Sequence, residues 1–382
     1  MRPIAKLCVA FCLLAGADFA RAESNPAAID TLVHSAAAEV MQQQGIPGLA
    51  IAITAQGRQR FYNYGVASRQ TGQPISSDTL FEIGSVSKTF TATLAAYAQA
   101  KGQLSLDDKV GNYLPELQGS PFAEVTLINL ATHSAGGFPL QVPDAVHNTA
   151  QLMAYLKAWQ PQYAPGTQRT YANPSIGMLG VIAARSLRMP YVAALEQRLF
   201  PALAMPNTYL QVPVDKQSLY AQGYNKANEP VRLNPGVLAD EAYGVKTSAR
   251  DLLRFVEANL GRRELEPALK QALSATRTGY FRLGAMTQDL VWEQYGYPVA
   301  LDALLQGNSN QVAYQSHAVR KLQPPLPVQE AVWVNKTGST NGFGAYVAFV
   351  PAKQIGIVLL ANRNYPNEDR VRLAYRILSA LE

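Results

Sequence analysis

Ser85-Val86-Ser87-Lys88 places a hydroxyl and an amine three residues apart, the pairing that covalent acyl transfer needs. The motif follows Phe81-Glu82-Ile83-Gly84 and runs into a stretch without a break before Gly102. Residues three apart on a helix share a face, so Ser85 and Lys88 would be neighbours. A serine hydroxyl is a poor nucleophile until a base takes its proton. A lysine can be that base only if burial or nearby positive charge weakens its hold on its own proton. A helix starting at Ser85 would also aim free N–H groups at developing negative charge.

Ser-x-x-Lys alone is expected about once or twice by chance in a chain of this length. An N-cap serine with a solvated lysine explains it equally well. Two further motifs add weight. Tyr171-Ala172-Asn173 lies after Pro165-Gly166. A phenol near two lysines can relay protons, and an asparagine can both donate to and accept from a substrate amide. Lys336-Thr337-Gly338-Ser339 follows the strand-like 331–334. Its lysine and threonine suit a carboxylate, and its glycine lets a ligand lie against the strand backbone. Lys246-Thr247-Ser248 is a decoy that lacks the glycine and opens the helical segment 249–260.

These residues need a frame. Asn25-Pro26 caps a predicted helix carrying Ile29, Leu32, Val33, Ala36, Ala37, Val40 and Met41 at helical spacing, ended by Gly45. Strands are predicted over 48–54 and 58–66, and again over 345–350 and 355–361. A last amphipathic helix carries Val371, Ala374, Leu378 and Leu381 on one face. The mirrored ends predict an α/β fold: an antiparallel sheet built from both chain ends, flanked by helices. A mostly helical region, 85–281, is inserted into an α/β domain of 23–84 and 282–382. The active site is expected between the two.

The 382 residues are 48% hydrophobic and 16% charged, which is globular rather than disordered. Arg2 and Lys6, the apolar 7–17 and Ala20-Arg21-Ala22 read as a secretory signal over 1–22, cleaved near Ala22, implying a periplasmic protein. Cleavage would remove Arg2, Lys6, Arg21 and Asp18, taking the formal charge from +6 to +4. No dense basic run suggests nucleic-acid binding. Both cysteines, Cys8 and Cys12, fall inside the signal, so neither a disulfide framework nor a thiol nucleophile is expected. His34, His133, His147 and His317 are scattered without metal-ligand spacing and read as structural or solvated. No Gly-x-Ser-x-Gly elbow is present. Trp159, Trp292 and Trp333 read as packing residues.

Taken together and in this order, the three motifs resemble those of the penicillin-recognising serine hydrolases, most closely the class C β-lactamases. The resemblance spans the mature chain. Class A enzymes carry Ser-Asp-Asn at the central element and a separate glutamate loop, and neither is found here. The resemblance implies acylation of Ser85, with Lys88 and Tyr171 sharing the base work. It implies an oxyanion hole from the backbone N–H groups of Ser85 and Ser339. It places Gln141 and Asn173 at the acylamino side chain, and Tyr243 on a loop lining the side-chain pocket. Lys336, Thr337, Asn367 and Arg370 match positions near the substrate carboxylate, with Gly338 between them. The implied reaction is two-stage hydrolysis of a small β-lactam, favouring cephalosporins and giving antibiotic resistance. It needs no metal or cofactor. A monomer without a stable membrane anchor is expected. A D-Ala-D-Ala carboxypeptidase or esterase on the same scaffold, and a penicillin-binding sensor that stays acylated at Ser85, remain alternatives.

Overall fold

The computed structural model describes residues 26–381. The predicted signal and the Asn25 cap lie outside the described residues. Helix α1 spans Pro26–Gln44, and Gly45, at φ +60°, ends it. Strands β1 (Gly48–Ala55) and β2 (Arg58–Gly65) form a hairpin. Gln56 and Gly57 both hold positive φ at its tip, which matches the twist of the strands.

The chain then leaves the sheet. The helical region contains α2 (Ser87–Ala100), α3 (Asn173–Ser186) and α4 (Ala249–Asn259). It returns through β3 (Gly279–Leu283), β4 (Met286–Gln288), β5 (Glu293–Gly296) and β6 (Arg320–Leu326). The strands β7 (Val332–Ser339), β8 (Gly344–Val350) and β9 (Ile355–Ala361) follow, then helix α5 (Asn367–Ser379). The nine strands form one antiparallel sheet in the order β6-β3-β4-β5-β7-β8-β9-β1-β2. Both chain ends thus meet where Leu49 of β1 pairs with Ala361 of β9.

β1, β8 and β9 are apolar on both faces because both faces are covered. Leu49, Ile51 and Ile53 of β1 pack with Tyr346 and Ala348 of β8 and Ile357 and Leu359 of β9, beneath α1 and α5. The intervening Ala50, Ala52, Val347, Phe349, Val358 and Leu360 belong to the core shared with the helical region. Period-two alternation therefore divides one sheet between two cores. The α1 stripe holds, with Ile29, Val33, Ala36, Ala37 and Val40 buried and Leu32 and Met41 only partly so.

Two local readings change. Lys246–Ser248 is a strand rather than the opening of a helix. It pairs with Leu80–Glu82 and Thr208–Tyr209 in a separate three-stranded sheet. Ser248 then caps α4 by accepting from Asp251 N–H at 3.2 Å. β7 also runs past the expected 331–334 and includes the whole Lys-Thr-Gly-Ser motif. All three tryptophans are buried. Among the described residues, no single helix is long and apolar enough to cross a membrane.

Candidate active site

Ser85 sits in the 3₁₀ turn Gly84–Val86 that feeds directly into α2. Two glycines press this turn against β7. A Cβ on Gly84, at φ +50°, would stand 2.4 Å from Ser339 N, and one on Gly338 would stand 2.0 Å from Ile83 O and 3.0 Å from Ser85 N. Neither position tolerates a side chain. The contact brings the backbone of Ser85 and of Ser339 to the same end of a cavity of about 390 Å³.

Lys88 points back from the first turn of α2. Its side chain is fully buried, and its Nζ donates to Ser85 Oγ at 2.9 Å and to Ala242 O at 2.9 Å. That carbonyl ends the short helix Ala239–Ala242. No carboxylate pairs with Lys88 among the described residues. Burial lowers its affinity for a proton to a pKa of about 8; Lys336 adds to the effect, whereas Tyr171 opposes it.

Tyr171 lies between the strand Gln168–Thr170 and α3, whose Pro174 sits in the first turn. Lys88 Nζ lies 5.2 Å, Lys336 Nζ 5.1 Å and Arg169 Cζ 5.5 Å from its ring centre. Burial would push the phenol up, but Lys336 and Lys88 outweigh it and bring the pKa down to about 8. Ser85 stands close enough to favour the phenolate without completing a full hydrogen bond. His133 packs on the Tyr171 ring at 4.3 Å and accepts from Ala172 N–H at 3.3 Å. Burial, then Arg169, Lys88 and Lys336, hold its imidazole well below the usual range, so it stays neutral.

The other sequence-selected residues mostly gather around this centre. Gln141, Asn173, Tyr243, Lys336, Thr337, Gly338, Ser339 and Asn367 line the cavity with Ser85 and Tyr171. Asn173 Nδ2 donates to Gln141 Oε1 at 2.9 Å, which joins two amides at the mouth. Lys336 is nearly buried, its Nζ donating to Thr337 O at 3.0 Å.

Arg370 departs from expectation. It does not line the cavity; it is fully buried behind β7. Its guanidinium donates to Gly338 O at 2.7 Å, Ser339 Oγ at 3.0 Å and Asn364 Oδ1 at 2.8 Å, and also to Tyr365 O. It shares the inward face of α5 with Val371 and Ala374, and Gly344, without a Cβ, leaves room for it. Arg370 therefore braces the β7 terminus and the loop after β9.

Two groups were not singled out from the sequence. Arg169 is nearly buried and donates to Glu293 Oε1 at 2.8 Å, Gln288 Oε1 at 2.7 Å and Val312 O at 3.0 Å. The other is the rim segment Asn310–Tyr314, which ends in an exposed tyrosine against the cavity. A lone arginine two residues before Tyr171 carries no local signal, because its partners are more than a hundred positions away. Among the described residues, no group of three or more His, Cys, Asp or Glu side chains gathers as a metal site.

The family model for β-lactamases matches residues 33–382. The β-lactamase of Lysobacter lactamgenus is 55% identical over 376 residues, covering 98% of each chain. The solved β-lactamase/D-alanine carboxypeptidase of Pseudomonas syringae superposes with a TM-score of 0.92 at 62% identity, over 93% of this chain and 99% of that one. A class C β-lactamase solved with cefoxitin superposes at 0.91 and 52% identity, over 93% and 99%. With the nucleophile turn, the buried lysine and the Lys-Thr-Gly strand assembled on this fold, the chain belongs to the β-lactamase family, as a class C member.

Proposed function

We propose that this chain hydrolyses β-lactams through an acyl-enzyme on Ser85. The observation that carries the reading is Lys88: a buried amine 2.9 Å from Ser85 Oγ, with no carboxylate partner among the described residues to hold its proton. In acylation, Ser85 Oγ attacks the lactam carbonyl and its proton passes to Lys88. The backbone N–H groups of Ser85 and Ser339 receive the oxyanion. The C–N bond then breaks, and Tyr171 delivers a proton to the ring nitrogen. In deacylation, Tyr171 as phenolate takes a proton from water. The hydroxide attacks the ester, the C–O bond to Ser85 breaks, and Lys88 returns to Ser85 Oγ the proton it took in acylation. Both bases have pKa values near 8, where each can take and return a proton at modest cost.

Lys336 and Thr337 hold the substrate carboxylate, with Asn367 beside them. Asn173 and Gln141 hold the side-chain amide, and Tyr243 walls that pocket. Arg370 acts through the strand it braces. The roomy, polar cavity accommodates the bulk of a cephalosporin, and we propose that class as the preferred substrate and antibiotic resistance as the consequence. The protein works as an exported, periplasmic monomer of two domains, 23–84 with 282–382 and 85–281, with the site between them. The name of the Pseudomonas syringae neighbour supports D-alanine carboxypeptidase action as a second reading.

The test follows cephalosporin ring opening and intact protein mass together. Many turnovers with a transient adduct are expected. A single stable adduct would support the peptidase or a sensor instead. Activity surviving Ser85→Ala would overturn the mechanism. Tyr171→Phe should slow turnover about a hundredfold and let the acyl-enzyme accumulate.

A further inference from the structure

Glu82 is a buried carboxylate, 1% exposed, three residues before the nucleophile. No lysine, arginine or histidine pairs with it among the described residues. Three hydrogen bonds hold the carboxyl group. Oε1 accepts from Tyr220 O–H at 2.5 Å and from Leu233 N–H at 2.8 Å, while Oε2 accepts from Thr340 O–H at 2.5 Å. Lys246 lies opposite Glu82 in the strand pairing without forming an ion pair, and a buried carboxyl is costly unless it is hydrogen-bonded, so these bonds keep it in place.

Two of the three donors, Thr340 and Leu233, line the cavity, and the third, Tyr220, lies outside it. Thr340 follows Ser339 at the exit of β7. Leu233 lines the cavity on its own loop. Tyr220 stands beside the strand Leu80–Glu82, to which the next residue is tied by Ala221 N–H on Leu80 O at 3.0 Å. Glu82 itself leads through Ile83, whose carbonyl lies under Gly338, to Ser85. One carboxylate therefore connects both segments that supply oxyanion donors: by three covalent residues to Ser85 N–H, and by one hydrogen bond and one residue to Ser339 N–H.

We propose that Glu82 is a positioning residue that sets the width of the oxyanion hole, with Thr340 as its contact on β7. The proposal rests on the acyl-transfer reading above. Thr340→Val removes the O–H donor at nearly constant volume and leaves Oε2 unsatisfied. The two N–H groups then lose their fixed spacing, whereas the carboxylate pocket at Lys336 and Thr337 is untouched.

The experiment measures cephalosporin turnover and the inhibition constant of phenylboronic acid, whose tetrahedral adduct on a serine places an oxygen in the hole. Thr340→Val should weaken boronate binding and lower kcat by a similar factor, on the order of tenfold to a hundredfold, while KM changes little. Thr340→Ser should restore both. Tyr220→Phe removes an equally short bond from the side away from β7 and should lower the melting temperature without an equal loss of boronate affinity. If folded Thr340→Val and Glu82→Gln bind the boronate as tightly as the parent, the proposal is overturned. If the parent fails to turn over cephalosporin, the acyl-transfer reading fails with it, whatever the variants do.

Discussion

Lys88 and Arg169 both bring a cation within 6 Å of the Tyr171 ring, both from almost complete burial, and the protein treats them in opposite ways. Arg169 is matched by Glu293, with Gln288 and the Val312 carbonyl completing its fork. Among the described residues Lys88 donates to a hydroxyl and a carbonyl and lies beside Tyr171, with no carboxylate partner. A paired guanidinium fixes geometry and keeps its proton. An unpaired buried amine is driven toward neutrality and becomes a base. Of the three cations near the phenol, Arg169 is paired, whereas Lys88 and Lys336 have no carboxylate partner among the described residues.

The sharpest way to break this division is Lys88→Arg, which keeps the charge but not the ability to lose a proton. Cephalosporin turnover should fall by about a thousandfold or more. Near-normal turnover would mean that Lys88 serves by charge alone. The next test exchanges the paired side. Glu293 pushes the Tyr171 phenol up, and Arg169 is the cation paired with that carboxylate, over the same ring. Arg169→Met should therefore raise the phenol pKa and move the acid limb of the deacylation rate to higher pH. Glu293→Gln should move the same limb to lower pH. Arg169→Met should also cost about 3–5 kcal/mol in unfolding, because it strands a buried carboxylate. Shifts of equal sign in the two variants would refute that reading of the pair.

The smallest effect is a stability difference. Lys88 is held at about 8 in the folded chain, against 10.5 for a free lysine. Between those values the unfolded chain binds more protons, so this group adds stability as pH rises. Lys88→Met removes the contribution. The variant should exceed the parent in urea unfolding by about 1–3 kcal/mol at pH 7, and the gap should narrow steadily between pH 8 and 10.5. A constant gap would place the lysine outside the titration.

What could be read from the sequence was what chemistry restricts to few residue types. Ser85, Lys88, Tyr171 and Lys336-Thr337-Gly338 can do their work as almost nothing else can, and their order along the chain narrows the possibilities further. The apolar stripe of α1 and the runs in β1 and β9 follow from burial on one face or two. Direction was harder. Arg370 was assigned by position, yet its seat depends on which face of α5 meets the sheet and on the space left by Gly344. Pairings across long separations were invisible: Arg169 with Glu293, Glu82 with Thr340, and 246–248 as a strand between 80–82 and 208–209.

The sheet has a consequence for synthesis. β1 receives β2 from its own hairpin, but its other neighbour, β9, arrives only about 300 residues later. Until then a strand apolar on both faces keeps one edge open, and β8 likewise lacks its neighbour on the side away from β7. Such long-range closure is slow and comes late. The topology therefore works as a check on completeness. A chain interrupted before β9 leaves β1 and β8 without the strand that joins them, so a partial product stays open to proteolysis.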